Sequence, residues 1–99
     1  MPKIFEYLGY FLFIYTDDHP PVHIHVQHGE YRAKAELLYE DGVLSLVFKR
    51  IRGFTMLPKK QQTEIGEFIE QYQTEIVDKW TQIHVYRQTV KSEKITRKV

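Results

Sequence analysis

Apolar and polar residues alternate loosely over residues 3–8, and Gly9 ends the run. Residues 10–15, YFLFIY, then form an aromatic and aliphatic run, and a glycine between two such runs predicts a tight hairpin. Residues 22–27 read V-H-I-H-V-Q. The period of two puts Val22, Ile24 and Val26 on one face of a strand and His23, His25 and Gln27 on the other. His28-Gly29-Glu30 predicts a turn, residues 31–39 a fourth strand, and Asp41-Gly42 a hairpin into a fifth strand over residues 43–48.

The period changes after Gly53. Pro58 suits the first turn of a helix, where its missing N–H costs nothing. From there Ile65, Phe68, Ile69, Tyr72, Ile76, Val77, Trp80 and Ile83 recur at spacings of three and four, one apolar stripe on a single long helix. Gly66 inside it costs about 1 kcal/mol relative to alanine. Residues 84–90 either continue the helix or form a short strand. The expected architecture is α+β: an antiparallel β-meander of about five strands packed on one long C-terminal amphipathic helix. Residues 1–90 form one domain and 91–99 a basic, mobile tail. The stripe covers one sheet face, and the other is solvated or meets a partner.

Composition changes this picture little. Ninety-nine residues with 42% hydrophobic and 27% charged content suit one globular domain. The absence of cysteine excludes disulfide frameworks and thiolate metal sites. Lys3 and Glu6 interrupt the start before any signal-like apolar run, and no run is long enough to span a bilayer, so a soluble cytoplasmic protein without membrane contact is expected. Net charge is only +1, but Lys49, Arg50, Arg52, Lys59 and Lys60 form a local basic stretch suited to phosphate or an acidic partner. The bland reading, a solvated loop and a frayed tail, is the first to weigh against it.

Candidate chemistry concentrates in DDHPPVHIHVQHGEY, which holds four of the five histidines. His23 and His25 stand on one strand face, roughly 7 Å apart at the backbone. His19 lies beyond a Pro-Pro pair that shapes the strand entry. Three imidazoles can hold Zn²⁺ or another divalent metal with an open position, and Asp17, Asp18 or Glu36 can support them. Without metal, clustered histidines serve as acid and base in RNA cleavage, with Arg32, Lys34 or the basic stretch holding phosphate. The bland alternative is that His23 and His25 are exposed positions on a wet sheet face. His28 falls in the turn, outside the frame of His19, His23 and His25. Glycine-rich phosphate loops and nucleophile elbows are absent.

These residues, with a helix introduced by MLPKKQ and a late IVDKW, resemble the domain of unknown function 4160 family of small bacterial proteins. His19, His23, His25, Gly29, Glu30, Tyr31, Ala33, Leu57, Pro58 and Trp80 match its pattern. Pro20 and Pro21 lie one residue earlier than in that pattern, with Val22 in the second proline's place. The resemblance implies fold-level kinship, no established activity, and pairing with a small family 2442-type protein in a toxin–antitoxin-like manner. Two functions are therefore expected in competition. One is a binding or regulatory module whose His-bearing face meets a protein partner or a second copy. The other is a His-dependent ribonuclease-like toxin component using His19, His23 and His25, with Asp18, Glu30 and Glu36 in support.

Overall fold

The computed structural model describes residues 2–15 and 21–99. Five strands run as a meander: β1 (Lys3–Tyr7), β2 (Tyr10–Phe13), β3 (His23–His28), β4 (Tyr31–Glu40) and β5 (Val43–Arg50). Each pairs antiparallel with the next. The turns follow the sequence signals. Leu8-Gly9 and Asp41-Gly42 hold positive φ at both positions, 45° and 89° and then 52° and 79°, the backbone that two-residue hairpins require. A bulge between Lys3 and Phe5 lets both Ile4 and Phe5 be buried although they are adjacent.

Two expectations are corrected. The apolar stripe lies on two helices, α1 (Lys59–Gln71) and α2 (Gln73–His84), which share Tyr72 as a cap. Tyr72 leaves helical geometry at φ −103°, ψ 17°. The Gln73 side chain donates to the Glu70 carbonyl and accepts from the Tyr39 hydroxyl of β4, both at 2.8 Å. The break was invisible because the spacing of three and four continues through it and neither proline nor glycine marks it. Among the described residues the sheet also has six strands, one beyond the expected meander of about five. Within the basic C-terminal segment, β6 (Glu93–Ile95) pairs parallel to β1, giving the order β5-β4-β3-β2-β1-β6. Buried Lys79 of α2 anchors it, donating to the Lys91 carbonyl at 2.9 Å and pairing with Glu93 at 3.1 Å. The ambiguous 84–90 segment is neither alternative: α2 ends at His84 and no regular element follows until β6.

Both helices cover the same sheet face. Phe68 is stacked between Tyr7 and Tyr72, at 4.3 and 4.5 Å, with Phe5 edge-on at 5.5 Å. Ile24 and Val26 of β3, Leu12 and Ile14 around β2, and Ala33 and Ala35 of β4 are all fully buried beneath. Trp80 is 7% exposed, so its expected core role holds.

Candidate functional site

The face left uncovered by the helices gathers the predicted chemistry. Strand register arranges it in three rows. One runs Phe11, Gln27, Arg32; the next Phe13, His25, Lys34, Lys49; the third His23, Glu36, Val47. Alternation within each strand puts these residues opposite the core positions, so the same two-residue period that builds the core also builds this face.

His23 and His25 do share that face, with ring centroids 5.9 Å apart and planes at 64°. They are not the exposed, wet positions of the bland reading: His23 is only 5% exposed and His25 is half-buried. His23 Nδ1 lies 2.8 Å from the Pro21 carbonyl. A carbonyl only accepts, so Nδ1 carries the proton. Tyr15 stands edge-on to His25 at 4.0 Å, and Arg32 donates to the Tyr15 hydroxyl at 2.9 Å. The Arg32 guanidinium also sits 5.1 Å from the Phe54 ring and 5.8 Å from Phe13. Glu36, opposite His23 in register, is buried and pairs with Lys49 at 3.1 Å and Lys34 at 4.0 Å.

The other predicted residues divide. His19 and Asp18 lie outside the described residues. Glu30 is exposed in the turn beyond His28, at the far end of β3 from His23. The basic stretch is not one patch: Lys49 joins the open face, Arg50 pairs with Ala33 and so belongs to the helix side, Arg52 is in the loop after β5, and Lys59 and Lys60 begin α1. Among the described residues, no group of three or more histidine or acidic side chains converges to hold a metal ion.

His28 is the last residue of β3 and not part of the turn. It faces the helices, stacks on Tyr10 at 4.1 Å and donates from Nδ1 to Gln61 at 3.0 Å. Tyr10 in turn donates to Glu64 at 2.6 Å. Burial first, and the Glu64 carboxylate second, hold the Tyr10 hydroxyl well above the ordinary tyrosine range. The role of His28 was readable from parity, since it follows Ile24 and Val26 at steps of two. Tyr15, Phe13 and Phe11 carried a similar signal, because a fully apolar run such as YFLFIY places aromatic rings on both faces.

No helix among the described residues is long and apolar enough to cross a membrane. The chain has no significant match among curated proteins or solved structures. A family model described as "Domain of unknown function (DUF4160)" matches residues 9–81, a span that runs from the first hairpin turn through the open-face strands into α2. The chain therefore belongs to the DUF4160 family.

Proposed function

We propose that the open sheet face is a binding site for single-stranded RNA. The observation that carries this reading is the interleaving of aromatic rings with cations on one surface: half-buried Phe11, Phe13 and Tyr15 and the exposed loop residue Phe54 beside Lys3, Arg32, Lys34 and Lys49. Aromatic rings on a sheet stack unpaired bases, each worth about 1–3 kcal/mol, while lysine and arginine take the phosphates. Charge distribution supports the same side. Lys3, Arg32, Lys34, Lys49 and Lys94 stand against Glu6, Glu36 and Glu40 on this face, five cations to three carboxylates. The two helices carry three lysines against five acids, so the field directs a polyanion to the sheet.

Fluorescence anisotropy with a labelled, unstructured RNA oligonucleotide tests this. Binding should weaken as salt rises. Phe13→Ala should cost roughly tenfold or more in Kd at one stacked base, and Lys34→Ala should reduce the salt slope by about one. Salt-independent binding, or variants that bind like the parent, would exclude the reading.

A second reading, RNA cleavage, is favoured by the 5.9 Å separation of the His23 and His25 rings beside Arg32 and Lys34. One imidazole would take the proton of a ribose 2′-hydroxyl as its oxygen attacks phosphorus. The other would give a proton to the departing 5′-oxygen, leaving a 2′,3′-cyclic phosphate and a 5′-hydroxyl. His25→Asn should then abolish cleavage while leaving RNA bound, and the matching DNA should remain intact. A chain that binds RNA but yields no such ends is a binding module only.

A further inference from the structure

The outer edge of the sheet is as informative as its face. Among the described residues, edge strand β5 pairs only with β4, over eight residues with unbroken register and without proline. Such an edge presents unpaired N–H and C=O groups, and proteins normally blunt it with bulges, prolines or inward charges. Here the helix-facing side chains of β5 are Leu44, Leu46 and Phe48, all half-buried, followed by exposed Arg50 at the strand's end. They floor a groove whose other wall is α1, from Lys59 past Gly66 to Glu67 and Glu70.

The direction of α1 over this groove is fixed by two contacts. Gly66 lies against Leu46, where an added Cβ would be 3.7 Å from Leu46 Cδ1. Tyr39, the register partner of Leu44, bonds Gln73 just beyond the C-terminal end of α1. Glu70 therefore sits at the Leu44 end and Lys59 at the Phe48 end.

We infer that β5 pairs antiparallel with β5 of a second copy about a two-fold axis at Leu46, making one continuous sheet. A two-fold axis perpendicular to the sheet keeps both helix layers on one side, and that requires residues of the same parity to oppose each other. Centring on Leu46 satisfies it. Leu46 meets its own copy, Leu44 meets Phe48, and the apolar row runs unbroken across the junction. On the open face Val43 meets Lys49 and Ser45 meets Val47, so no like charges oppose. The same axis brings the Lys59 end of one groove to the Glu70 end of the other, twice. This charge complementarity selects a second copy as the occupant. The inference is independent of the RNA reading, because the axis lies at the edge and leaves the aromatic rows uncovered.

Sedimentation equilibrium of the full chain across a concentration series tests it. The expected species has twice the 11.9 kDa chain mass. Leu46→Lys, which sets two ammonium groups against each other at the axis, should give monomer, with far-UV circular dichroism confirming that it folds. Two surface variants guard against misfolding. Glu70→Lys should weaken the dimer roughly tenfold, since two attractive pairs become repulsive, and adding Lys59→Glu should restore it. The inference is overturned by a monomer at every concentration. It is equally overturned by a dimer that ignores Leu46→Lys and the charge swap, which would mean that another surface associates.

Discussion

Of the three histidines on strand β3, His25 and His28 differ in little but parity. His28 points to the helices, stacks on Tyr10 and is held by Gln61. His25 points away, beside Tyr15 and in register with Phe13 and Lys34. The first is part of a packed layer in which polar atoms are tied to a helix. The second belongs to a surface where rings and cations alternate and a helix is absent. One strand thus divides the protein into a side packed beneath the helices and a side that the helices leave open. Residue type alone would not have separated them.

The largest expected effect would test that division directly. Phe68→Ala removes the ring that is stacked between Tyr7 and Tyr72 in a fully buried site. It should cost about 3–5 kcal/mol in urea denaturation. Phe13→Ala, on the open face, removes a ring of the same size that is only half-buried. It should cost about 1 kcal/mol or less. Equal costs for the two would erase the distinction between faces.

Much of this division was legible in the sequence because it rests on a period of two. Val22, Ile24 and Val26 against His23 and His25 predicted both faces of β3, and Asp41-Gly42 predicted the hairpin between β4 and β5. What escaped depends on contacts between elements. The helix break at Tyr72 is stabilised by Gln73 and by Tyr39 from a distant strand, and it leaves the apolar spacing intact. Strand β6 is too short and too charged to announce itself, and needs Lys79 of α2 to hold it. The burial of His23 and the coupling of Arg32 to Tyr15 come from strands brought together by the meander, so no local spacing encodes them. Conversely, Glu30 is close to the histidines in sequence and far from His23 in space, since the turn carries it to the opposite end of the strand.

A middle-sized effect is expected where the helix side holds a polar network. Tyr10→Phe removes the hydroxyl that donates to Glu64 and should cost about 1 kcal/mol near neutral pH. The pH dependence gives a sharper signature. In the folded chain burial and Glu64 raise the Tyr10 pKa, so the native state keeps a proton that the unfolded chain loses at about pH 10. The contribution is fully present below that pH and is lost above it, as the unfolded state gains by ionising. Alkaline unfolding curves of Tyr10→Phe should therefore fall less steeply than those of the parent above pH 10 or so. Identical slopes would mean that Tyr10 does not hold its proton in the folded state. His28→Asn belongs to the same network and should shift thermal stability in the same direction, while His25→Asn should shift it less.

The smallest effect on stability is expected on the open face, and there it should be accompanied by a gain in binding. Glu6 lies in the outermost row, bonded to Lys3 at 3.2 Å and paired with Lys94 at 3.3 Å. Lys3 first, and Lys94 next, lower its carboxyl below the ordinary range. A carboxyl with a lowered folded pKa stabilises above its ordinary value and loses that contribution as pH falls through the folded one. Glu6 is half-buried but its lysine partners reach solvent, which screens both pairs, so Glu6→Gln should leave the neutral-pH urea midpoint almost unchanged and only flatten the acid limb slightly. The same change deletes one of the three carboxylates opposing five cations and releases Lys3 and Lys94 toward solvent. If the face takes RNA, Glu6→Gln should bind it more tightly and with a steeper salt dependence, because more phosphates can be neutralised. A variant that loses stability without gaining affinity would make the pairs of Glu6 fastenings of β1 to β6, and would move this corner of the open face to the structural side of the comparison.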